Sequence, residues 1–494
     1  MNELSETLIR TYFEEHGFVS SDIESFNNFV EVELQKIIEE NKDIEPTIIP
    51  SNIDEFKIRL DKIWVTKPEI TEADGSRRNI FPTEARLRQI SYAAPIYIEI
   101  SAHINGIQRE SFKTQIGSLP VMIKSRSCHL FGLNRDDLIA AGEDPDDFGG
   151  YFIVNGTEKT LIKIEDLAPN VLTVEKATTG ISPYVGKLFS EKGSYKIPHT
   201  LERMKDGIYY LTFTRVKRIP LFLVIKALGM DKDEEIVRAI GLEDDSDILL
   251  NLIEFVDVKD PEEAMDQIAK RIGITQTKDI RLSRISEILD KYLLPSIGGG
   301  IEDRHLKAVN LSKMLSRYAR VVSGKAPVND KDHYGNKRLK MSGDLLGDLF
   351  RVNLKVLIGD MLYNFQRIVK RGKFPTIKVI IRDKLLTQRI YSSMATGTWI
   401  GGRKGVSQRM DRMNVLATLS HLQRVVSPLS TTQENFDARS LHSTHLGRLC
   451  PTETPEGANI GLRKNLALLA SVTGPIDQEE LVRKVRAMGV EVHR

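Results

Sequence analysis

The spacing of apolar residues predicts helices mixed with strands in the first part of the chain. Apolar residues recur at helical spacing and predict one amphipathic helix at Phe26, Phe29, Val30, Leu34, Ile37 and Ile38. Ile96, Ile98 and Ile100 instead alternate with Tyr, Glu and Ser, which predicts a strand. The apolar run 151–154 ends at Asn155-Gly156, a dipeptide typical of a hairpin turn. The chain therefore begins with a domain that contains both helices and strands.

The pattern changes from about residue 168. The apolar run 208–213 predicts a strand after the Asp206-Gly207 turn. An acidic, helical stretch follows, and three consecutive glycines at 298–300 interrupt the chain. This middle block is interpreted as an inserted domain of mixed structure.

Helical spacing returns after the inserted block. Apolar residues predict a strong amphipathic helix, closed by Lys370, Arg371 and Gly372, at Leu354, Leu357, Met361, Phe365 and Ile368. Residues 378–381 are predicted to form a strand. After residue 392 the chain is rich in Gly, Ser, Thr and Arg, and the periodicity weakens. The length of 494 residues exceeds one core and predicts about three domains.

The composition favours a folded protein of a reducing compartment. Apolar residues make up 41% and charged residues 28% of the chain. Its two cysteines, Cys128 and Cys450, lie far apart, so neither a disulfide framework nor a cysteine zinc site is expected. The acidic N-terminus does not resemble a secretory signal, and the apolar stretch 219–230 is too short to span a bilayer. We expect a cytoplasmic protein without a membrane partner.

Charge is unevenly distributed, although 70 basic residues nearly balance 68 acidic ones. Residues 230–267 are acidic, with Asp231, Asp233, Glu234, Glu235, Glu243, Asp244, Asp245 and Asp247. Residues 401–424 are basic, with Arg403, Lys404, Arg409, Arg412 and Arg424 against the single acid Asp411. The basic stretch could bind phosphates and the acidic one would repel them. On charge alone, two solvated faces are the favoured interpretation.

No self-contained active site can be read from the sequence. The glycine-rich stretch 401–405 lacks the Gly-Lys-Ser/Thr ending of a phosphate-binding loop. No Asp-x-Asp cluster for two magnesium ions and no nucleophile elbow occur. His442 and His445 could face one metal ion, but a structural site needs four ligands, so hydrogen-bonding histidines in a loop are favoured. Any catalysis is therefore expected to need residues of another chain.

Three polar stretches leave alternatives open. Residues 330–338 could be a solvated turn or a platform that places Lys337 and Arg338 on phosphates. The polar loop 430–439 could present Phe436 and Arg439 to unstacked bases or phosphates. The turn 450–457 contains two prolines and a glycine, which either pre-organise its glutamates or simply form a rigid turn.

The sequence resembles the second-largest subunits of DNA-directed RNA polymerases. Segments 440–448 and 453–462 are similar to the signature of this family, and 405–411 with 421–424 resemble the wall of the rifampicin pocket in its bacterial members. Segments 332–339, 82–86 and 149–159 resemble the archaeal and eukaryotic members. The matches follow in order along nearly the whole chain, so together they are very specific.

The resemblance implies a multidomain α+β fold. Residues 1–167 and 340–388 would form a mixed helix and sheet protrusion, interrupted by a lobe at 168–339. Residues 389–472 would form the fork, and 473–494 the start of an external domain. Because uninterrupted members of the family are at least twice as long, the chain would be the N-terminal half of the subunit in its archaeal, split-gene form.

The resemblance also implies roles for individual residues. Glu456 matches a glutamate near the site of nucleotide addition and is expected to position groups there. The loop 430–439 would keep DNA strands apart through Ser430, Gln433, Asn435, Phe436 and Arg439. The residues expected to contact nucleic acid are Arg403, Lys404, Gln408, Arg409, Asp411, Arg412, His421, Arg424, Arg439, His442, His445, Arg448, Lys337 and Arg338.

The implied activity is transcription of DNA into RNA from the four ribonucleoside triphosphates, by a nucleotidyltransferase complex in which this chain is inactive alone. Mg²⁺ would be held by partner subunits and none by this chain. The expected partners are the complementary C-terminal half, the largest subunit, other polymerase subunits, template DNA, nascent RNA and general transcription factors. The alternatives are a non-catalytic nucleic-acid-binding scaffold derived from a polymerase half and an assembly subunit with few nucleic-acid contacts.

Overall fold

The protein divides into two compact units. The computed structural model describes residues 2–49, 53–177, 182–193, 195–214, 216–242, 245–474 and 478–490. The first unit combines Met1–Asp166 with Leu339–Arg494, and the second comprises Leu167–Arg338. Both contain helices and sheets, which confirms the α+β multidomain fold class. The second unit lies within one residue, at each end, of the block 168–339; the domain names protrusion, lobe, fork and external domain stay predictions.

The first stretch of the first unit combines short helices with strands, which include a long hairpin. Its helices are α1 (Asn2–Glu15), α2 (Ser20–Asn28), α3 (Leu34–Glu39), α4 (Pro82–Leu87) and α5 (Arg135–Ala140). Its strands are β1 (Asp43–Ile44), β2 (Phe56–Val65), β3 (Glu69–Thr71), β4 (Arg77–Asn79), β5 (Ala93–Ile104), β6 (Ile107–Pro120), β7 (Phe152–Val154), β8 (Thr157–Leu161) and β9 (Lys163–Leu167).

The predicted elements of this stretch are present. A π-helical turn, Phe29–Glu33, joins α2 to α3, so the predicted helix is one continuous helical run that buries Phe26 and Ile37. The predicted strand lies in β5. The hairpin between β7 and β8 turns at Asn155 and Gly156, with φ of 50° and 72°, as the mirror-image turn requires.

The second unit is a sheet followed by helices. Its strands, hydrogen-bonded in chain order, are β10 (Thr173–Lys176), β11 (Tyr184–Lys192), β12 (Tyr195–Arg203), β13 (Tyr209–Phe213) and β14 (Val216–Pro220). Its helices are α6 (Leu221–Ala227), α7 (Asp233–Ile240), α8 (Ser246–Glu254), α9 (Pro261–Ile272), α10 (Lys278–Lys291) and α11 (Arg304–Val322). The predicted strand is β13, and the apolar stretch 219–230 forms the buried helix α6. Glu243 and Asp244 of the acidic stretch lie outside the described residues.

Strand β15 (Lys337–Lys340) leads back to the first unit. The helices that follow are α12 (Ser342–Val369), α13 (Ile377–Ile380), α14 (Asp383–Thr396), α15 (Val415–Leu422), α16 (Phe436–Arg439) and α17 (Gln478–Ala487). The strands are β16 (Ser407–Arg409), β17 (Arg424–Val426) and β18 (Arg463–Asn465). The predicted amphipathic helix is α12, which ends just before Lys370. Residues 475–477 and 491–494, within the predicted external segment, lie outside the described residues.

The strand predicted at residues 378–381 is wrong, because Ile377–Ile380 forms the short helix α13. Ile377 and Ile380 are buried, whereas Lys378 and Val379 are exposed. This three-residue spacing suits one helical turn on an apolar surface, and a strand would bury alternate residues instead. Among the described residues, no helix is both long and apolar enough to cross a membrane.

Short strands join the segment 397–470 to the first stretch of the same unit. β16 pairs antiparallel with β8, so that Gln408 lies opposite Thr160. β17 runs parallel to β9 and antiparallel to β18. The core of this unit buries side chains from both stretches, including Phe152 and Phe350. The predicted nucleic-acid residues of this segment are therefore mounted on a sheet that residues far earlier in the chain complete.

Two buried ion pairs lie under these strands. Lys464 Nζ is 2.8 Å from Glu165 Oε1, and the two side chains are 8% and 2% exposed. Lys163 Nζ is 3.4 Å from Asp22 Oδ2 and donates to the Leu422 carbonyl at 2.7 Å. Removing one partner would leave a buried charge without compensation. These pairs therefore restrict which β-strands can pair here. No local sequence pattern marks Asp22, Lys163 or Glu165 as partners in such pairs.

Candidate nucleic-acid interface

Arg439 ties the predicted strand-separation loop to the turn that follows. Its guanidinium donates to the carbonyl oxygens of Ala458 at 2.8 Å, Ile460 at 2.9 Å and Thr431 at 3.1 Å. Gly461 lies against the same backbone: a β-carbon built there would be 2.2 Å from the Arg439 carbonyl oxygen, and φ is 72°. Arg439 therefore acts as a clamp between the loop 430–439 and residues 457–461, although the sequence predicted a contact with nucleic acid.

The rest of the loop is exposed. Ser430, Gln433 and Asn435 are exposed, and Ser430 and Thr432 share a 2.8 Å hydrogen bond between their hydroxyls. Phe436 begins helix α16 and is 82% exposed. The backbone that carries this exposed ring is tied to residues 457–461 through Arg439.

The turn that carries Glu456 is fixed by a threonine. The Thr454 hydroxyl donates to the Arg463 carbonyl and accepts from the Gly461 amide, both at 2.9 Å. Glu453 is held by the Ser420 hydroxyl at 2.5 Å, whereas Glu456 is exposed. Thr454 anchors the turn, and this leaves the Glu456 carboxylate projecting from a pre-organised backbone.

Gln408, His421 and Asp411 form one hydrogen-bonded network. The Asp411 amide donates to Nδ1 of His421 at 3.1 Å, so the neutral ring carries its proton on Nε2 and donates it to Gln408 Oε1 at 3.1 Å. Gln408 in turn donates to the Gly405 carbonyl at 2.9 Å. Burial, and then the nearby Arg424, lowers the pKa of His421 to about 4. The network is therefore uncharged at His421 near neutral pH and fixes the orientation of the Gln408 amide.

Arg424 is a half-buried cation at the start of β17. Burial, and then the charge of Arg463, lowers the pKa of Arg424, and Glu453 and Asp411 oppose the shift. Among the described residues its guanidinium forms no ion pair and no hydrogen bond. A half-buried guanidinium with unused donors is well suited to bind a phosphate.

Arg412 is engaged within the protein. Its guanidinium contacts Glu158 at 2.7 Å and Asp147 at 3.1 Å, and lies 4.9 Å from the centre of the Tyr151 ring. Arg86 approaches the same group from another side, 2.9 Å from Glu158 and 2.6 Å from the Tyr151 hydroxyl. Segments 82–86 and 149–159, which carry the family resemblance, therefore meet around Arg412, and the guanidinium stabilises their packing.

Arg403, Lys404 and Arg409 lie at the edge of the segment. Lys404 and Arg409 are exposed, and Arg403 is half-buried with its guanidinium 3.5 Å from Asp166. Arg403 and Lys404 line a cavity of about 170 Å³. Its other lining residues are Ile162, Ile164, Gly405, Val406, Val426 and Pro428. The basic stretch is therefore dispersed: some cations are exposed, and others are used within the protein.

His442 and His445 shape a loop. The Thr444 amide and His442 Nδ1 are 3.2 Å apart, and the His442 amide donates to His445 Nδ1 at 3.4 Å. Arg448 is exposed and donates to the Thr444 carbonyl at 3.1 Å. No cluster of three or more His, Cys, Asp or Glu side chains that could hold a metal ion occurs among the described residues. Both histidines therefore hydrogen-bond within their own loop.

Lys337 and Arg338 belong to the second unit, and their side chains are used locally. Lys337 Nζ lies 3.3 Å from Asp332, and Arg338 donates to the Gly335 carbonyl at 2.9 Å. These contacts stabilise the turn at 330–338. Their assignment to nucleic acid stays a prediction, as do the other assigned contacts.

Comparison with known proteins places the chain in one class. A family model described as RNA polymerase beta subunit matches residues 17–388, and another described as RNA polymerase Rpb2, domain 3, matches residues 408–472. Both describe parts of one polymerase subunit, in the same order as in the chain. The class is therefore that of DNA-directed RNA polymerase subunits.

Three archaeal relatives match along almost the whole chain. The chain is 44% identical to the DNA-directed RNA polymerase subunit Rpo2N of Methanocaldococcus jannaschii, covering 98% of this chain and 99% of that protein. It is 39% identical to Rpo2N of Methanothermobacter thermautotrophicus strain Winter, over 98% of each chain. Against subunit Rpo2 of Saccharolobus solfataricus it is 41% identical, over 98% of this chain and 43% of that protein. The chain belongs to the family of second-largest RNA polymerase subunits and corresponds to their N-terminal half in the archaeal split form, as the sequence resemblance predicted.

Proposed function

We propose that this subunit forms one wall of the cleft that holds DNA and RNA in an assembled polymerase, helping to bind promoter DNA, to keep its strands apart and to guide the RNA. The observation that carries the proposal is the exposed Phe436 ring on a loop that Arg439 clamps at three carbonyls. A clamped aromatic side chain can stack on an unpaired base, and so oppose its return to the duplex.

Phosphate contacts would come from the neighbouring β17. Arg424 offers guanidinium donors from a half-buried position, and Gln408 is held beside it through neutral His421. Such contacts hold a strand by its backbone, so they bind every sequence with similar affinity. This property suits a polymerase, which must move along all sequences.

The reaction proposed for the assembled enzyme is nucleotidyl transfer from ribonucleoside triphosphates. As the family resemblance implies, the metal ions that would stabilise the displaced oxygens are proposed to be held by the partner subunits. Glu456 is expected to orient groups near the site of addition from its anchored turn. The proposed partners are the complementary C-terminal half, the largest subunit, other polymerase subunits and general transcription factors.

The test uses polymerase assembled with this chain as wild type, Phe436→Ala or Phe131→Ala. Phe131 is the matched control, because it is a 53% exposed phenylalanine of the same unit outside segment 397–470. Phe436→Ala is expected to reduce transcription several-fold on a duplex promoter and to spare a template with a pre-melted bubble, while Phe131→Ala leaves both unchanged. Equal loss on both templates, or no loss, would contradict strand separation.

The alternative is a non-catalytic scaffold that binds nucleic acid alone. Purification of the tagged chain distinguishes the two. A polymerase subunit is expected to bring down the complementary half and the largest subunit and to be inactive alone. A scaffold would bind DNA or RNA without them.

A further inference from the structure

Helix α8 of the second unit is apolar on its outer side as well as on its inner side. Ile248 and Phe255 point into the core, with exposures of 0% and 4%. The outward side chains form a patch that we name the α8 stripe, with exposures of 46%, 43%, 72% and 53% for Leu249, Leu250, Ile253 and Val256. Leu249, Leu250 and Ile253 lie on one face of α8, and Val256 follows on the turn directly after the helix, so the stripe ends on that turn.

Neighbouring helix α9 shows the ordinary arrangement. Its exposed positions carry Glu262, Glu263, Lys270 and Arg271, and its apolar side chains are buried. A surface helix normally shows one apolar stripe toward the core and a polar face toward water. A second apolar stripe on α8 therefore indicates a surface that another molecule covers.

Acidic residues border the α8 stripe. Residues 245–263 contain seven acidic residues and one basic residue, Lys259. Glu254 and Asp257 are exposed and flank Ile253 and Val256. Not every acid in this range is available, since Arg203 binds both oxygens of Asp247, at 2.7 and 2.8 Å, and Asp245 caps the helix.

The border continues onto the turn between β12 and β13. Leu250 lies 3.6 Å from a β-carbon built at Gly207, so the turn adjoins the stripe. Asp206 on this turn is exposed. Burial, and then the Asp206 carboxylate, raises the pKa of Tyr210, with Arg271 opposing and Glu254 adding to the shift. Asp206 and Glu254 therefore both lie near Tyr210, and Arg271 partly offsets their charge.

We propose that the α8 stripe docks a basic amphipathic helix of a partner protein. A helix with apolar residues at i, i+3, i+4 and i+7 buries the four apolar side chains, and Lys or Arg on its flanks faces Glu254 and Asp257. Acidic flanks disfavour nucleic acid and anionic lipid as occupants, since both would be repelled. The proposal does not depend on the proposed function of segment 397–470.

The probe is a fluorescein-labelled, 18-residue helical peptide with leucine at the spacing above and lysine on both flanks, titrated onto the assembled polymerase by fluorescence anisotropy. Ile253→Ser is expected to weaken binding at least about tenfold, because it removes the central apolar contact. Asp257→Lys is expected to weaken it several-fold and to reduce its dependence on salt. The matched control is Ile280→Ser, because Ile280 lies on α10 of the same unit and is 47% exposed. This control should leave the affinity unchanged.

Two further peptides test whether the lysine charge and the helical spacing of leucine are both required. One replaces lysine with glutamate, and the other keeps the composition but scrambles the order of residues; both are expected to bind at least about tenfold more weakly. Equal binding by the three peptides, or equal affinity of all polymerase variants, would overturn the proposal. The proposal would also be overturned if no peptide bound while the stripe was protected from hydrogen exchange, because another part of the assembly would then already cover it. A change of oligomeric state in Ile253→Ser would overturn it as well, because the occupant would then be a second copy of this chain. Transcription from a pre-melted template should be unaffected by Ile253→Ser, so failure here is distinguishable from failure of the proposed function.

Discussion

Gly461 and Arg439 are in such close backbone contact that no side chain fits between them: a β-carbon at Gly461 would lie 2.2 Å from the Arg439 carbonyl oxygen. The same arginine uses its guanidinium to bind three carbonyls, among them those of Ala458 and Ile460, immediately before the glycine. The exposed loop and the glutamate turn are therefore one structural block rather than two independent loops.

This contact predicts that Gly461→Ala damages the block far more than a comparable glycine substitution. Gly447→Ala is the matched control, because φ is 74° there and 72° at Gly461, but no atom lies within 4 Å of the new carbon at Gly447. Gly447→Ala is expected to cost about 1–2 kcal/mol from backbone strain alone. Gly461→Ala should cost more and expose residues 430–439 to proteolysis. Similar melting temperatures and similar cleavage of the two variants would show that the contact is loose.

Arg412 and Arg424 are expected to behave differently although both are arginines of the segment 397–470, one 41% exposed and ion-paired, the other half-buried. Arg412 is held by Glu158 and Asp147, so Arg412→Gln should lower the melting temperature and leave the salt dependence of RNA binding unchanged. Arg424→Gln should reduce the dependence of RNA affinity on salt concentration by the equivalent of about one phosphate contact. It should change the stability of the chain little. The two measurements are thermal melting of the chain and RNA affinity of the assembled polymerase over a range of salt. A reduced salt dependence for Arg412→Gln would instead support its predicted contact with nucleic acid.

Two buried histidines predict a loss of stability in acid. Burial is the main cause that lowers the pKa of both His199 and His421 to about 4 in the folded chain. Because their unfolded pKa is about 6.5, the unfolded state binds more protons below that pH, and stability rises with pH there. The contribution is complete above about pH 6.5 and is lost as pH falls toward 4, with an upper limit of roughly 3 kcal/mol for each histidine.

Denaturant unfolding at pH 7.5, 6 and 5 measures this effect. His199→Gln should flatten the slope of stability against pH, even though it lowers stability at pH 7.5, because the Nδ1 bond to Ile197 and the Nε2 bond from Leu294 are disturbed. His305→Gln is the control, since His305 is 63% exposed. An unchanged slope in His199→Gln would mean that another group controls the acid sensitivity.

Glu456→Ala tests whether the exposed carboxylate takes part in nucleotide addition. Thr454, not Glu456, anchors the turn, so the variant should assemble normally and keep its melting temperature. It is expected to slow extension several-fold at limiting nucleotide concentration. Glu6→Ala, a 70% exposed glutamate of α1, is the control. Normal extension by Glu456→Ala would reduce the residue to part of a rigid turn.

The sequence predicts local elements well, but it does not reveal which charged side chains pair with partners far away in the chain. The hairpin at Asn155 could be predicted because the two residues of the turn carry its geometry themselves. The helix at Ile377 was missed because a four-residue apolar run does not reveal its period. Arg412 and Arg439 could not be assigned to internal contacts, because their partners are distant carboxylates or backbone carbonyls that leave no local pattern. Lys163 was missed for the same reason, although a lysine within a buried strand could have suggested a fixed partner.

The pairing of β9 with β17 has a consequence for synthesis of the chain. β17 pairs with β9 from far along the chain, and Lys464 meets Glu165 across 299 residues, so this edge of β9 and the Glu165 carboxylate stay unpartnered until residues 424–465 have left the ribosome. At about 5–20 residues per second, this interval is roughly 15–60 s. During that time the nascent chain carries an open strand edge beside lone buried charges, which is a hazard for aggregation. We expect the second unit, whose sheet pairs in chain order, to fold first, and the segment 397–470 to pack last.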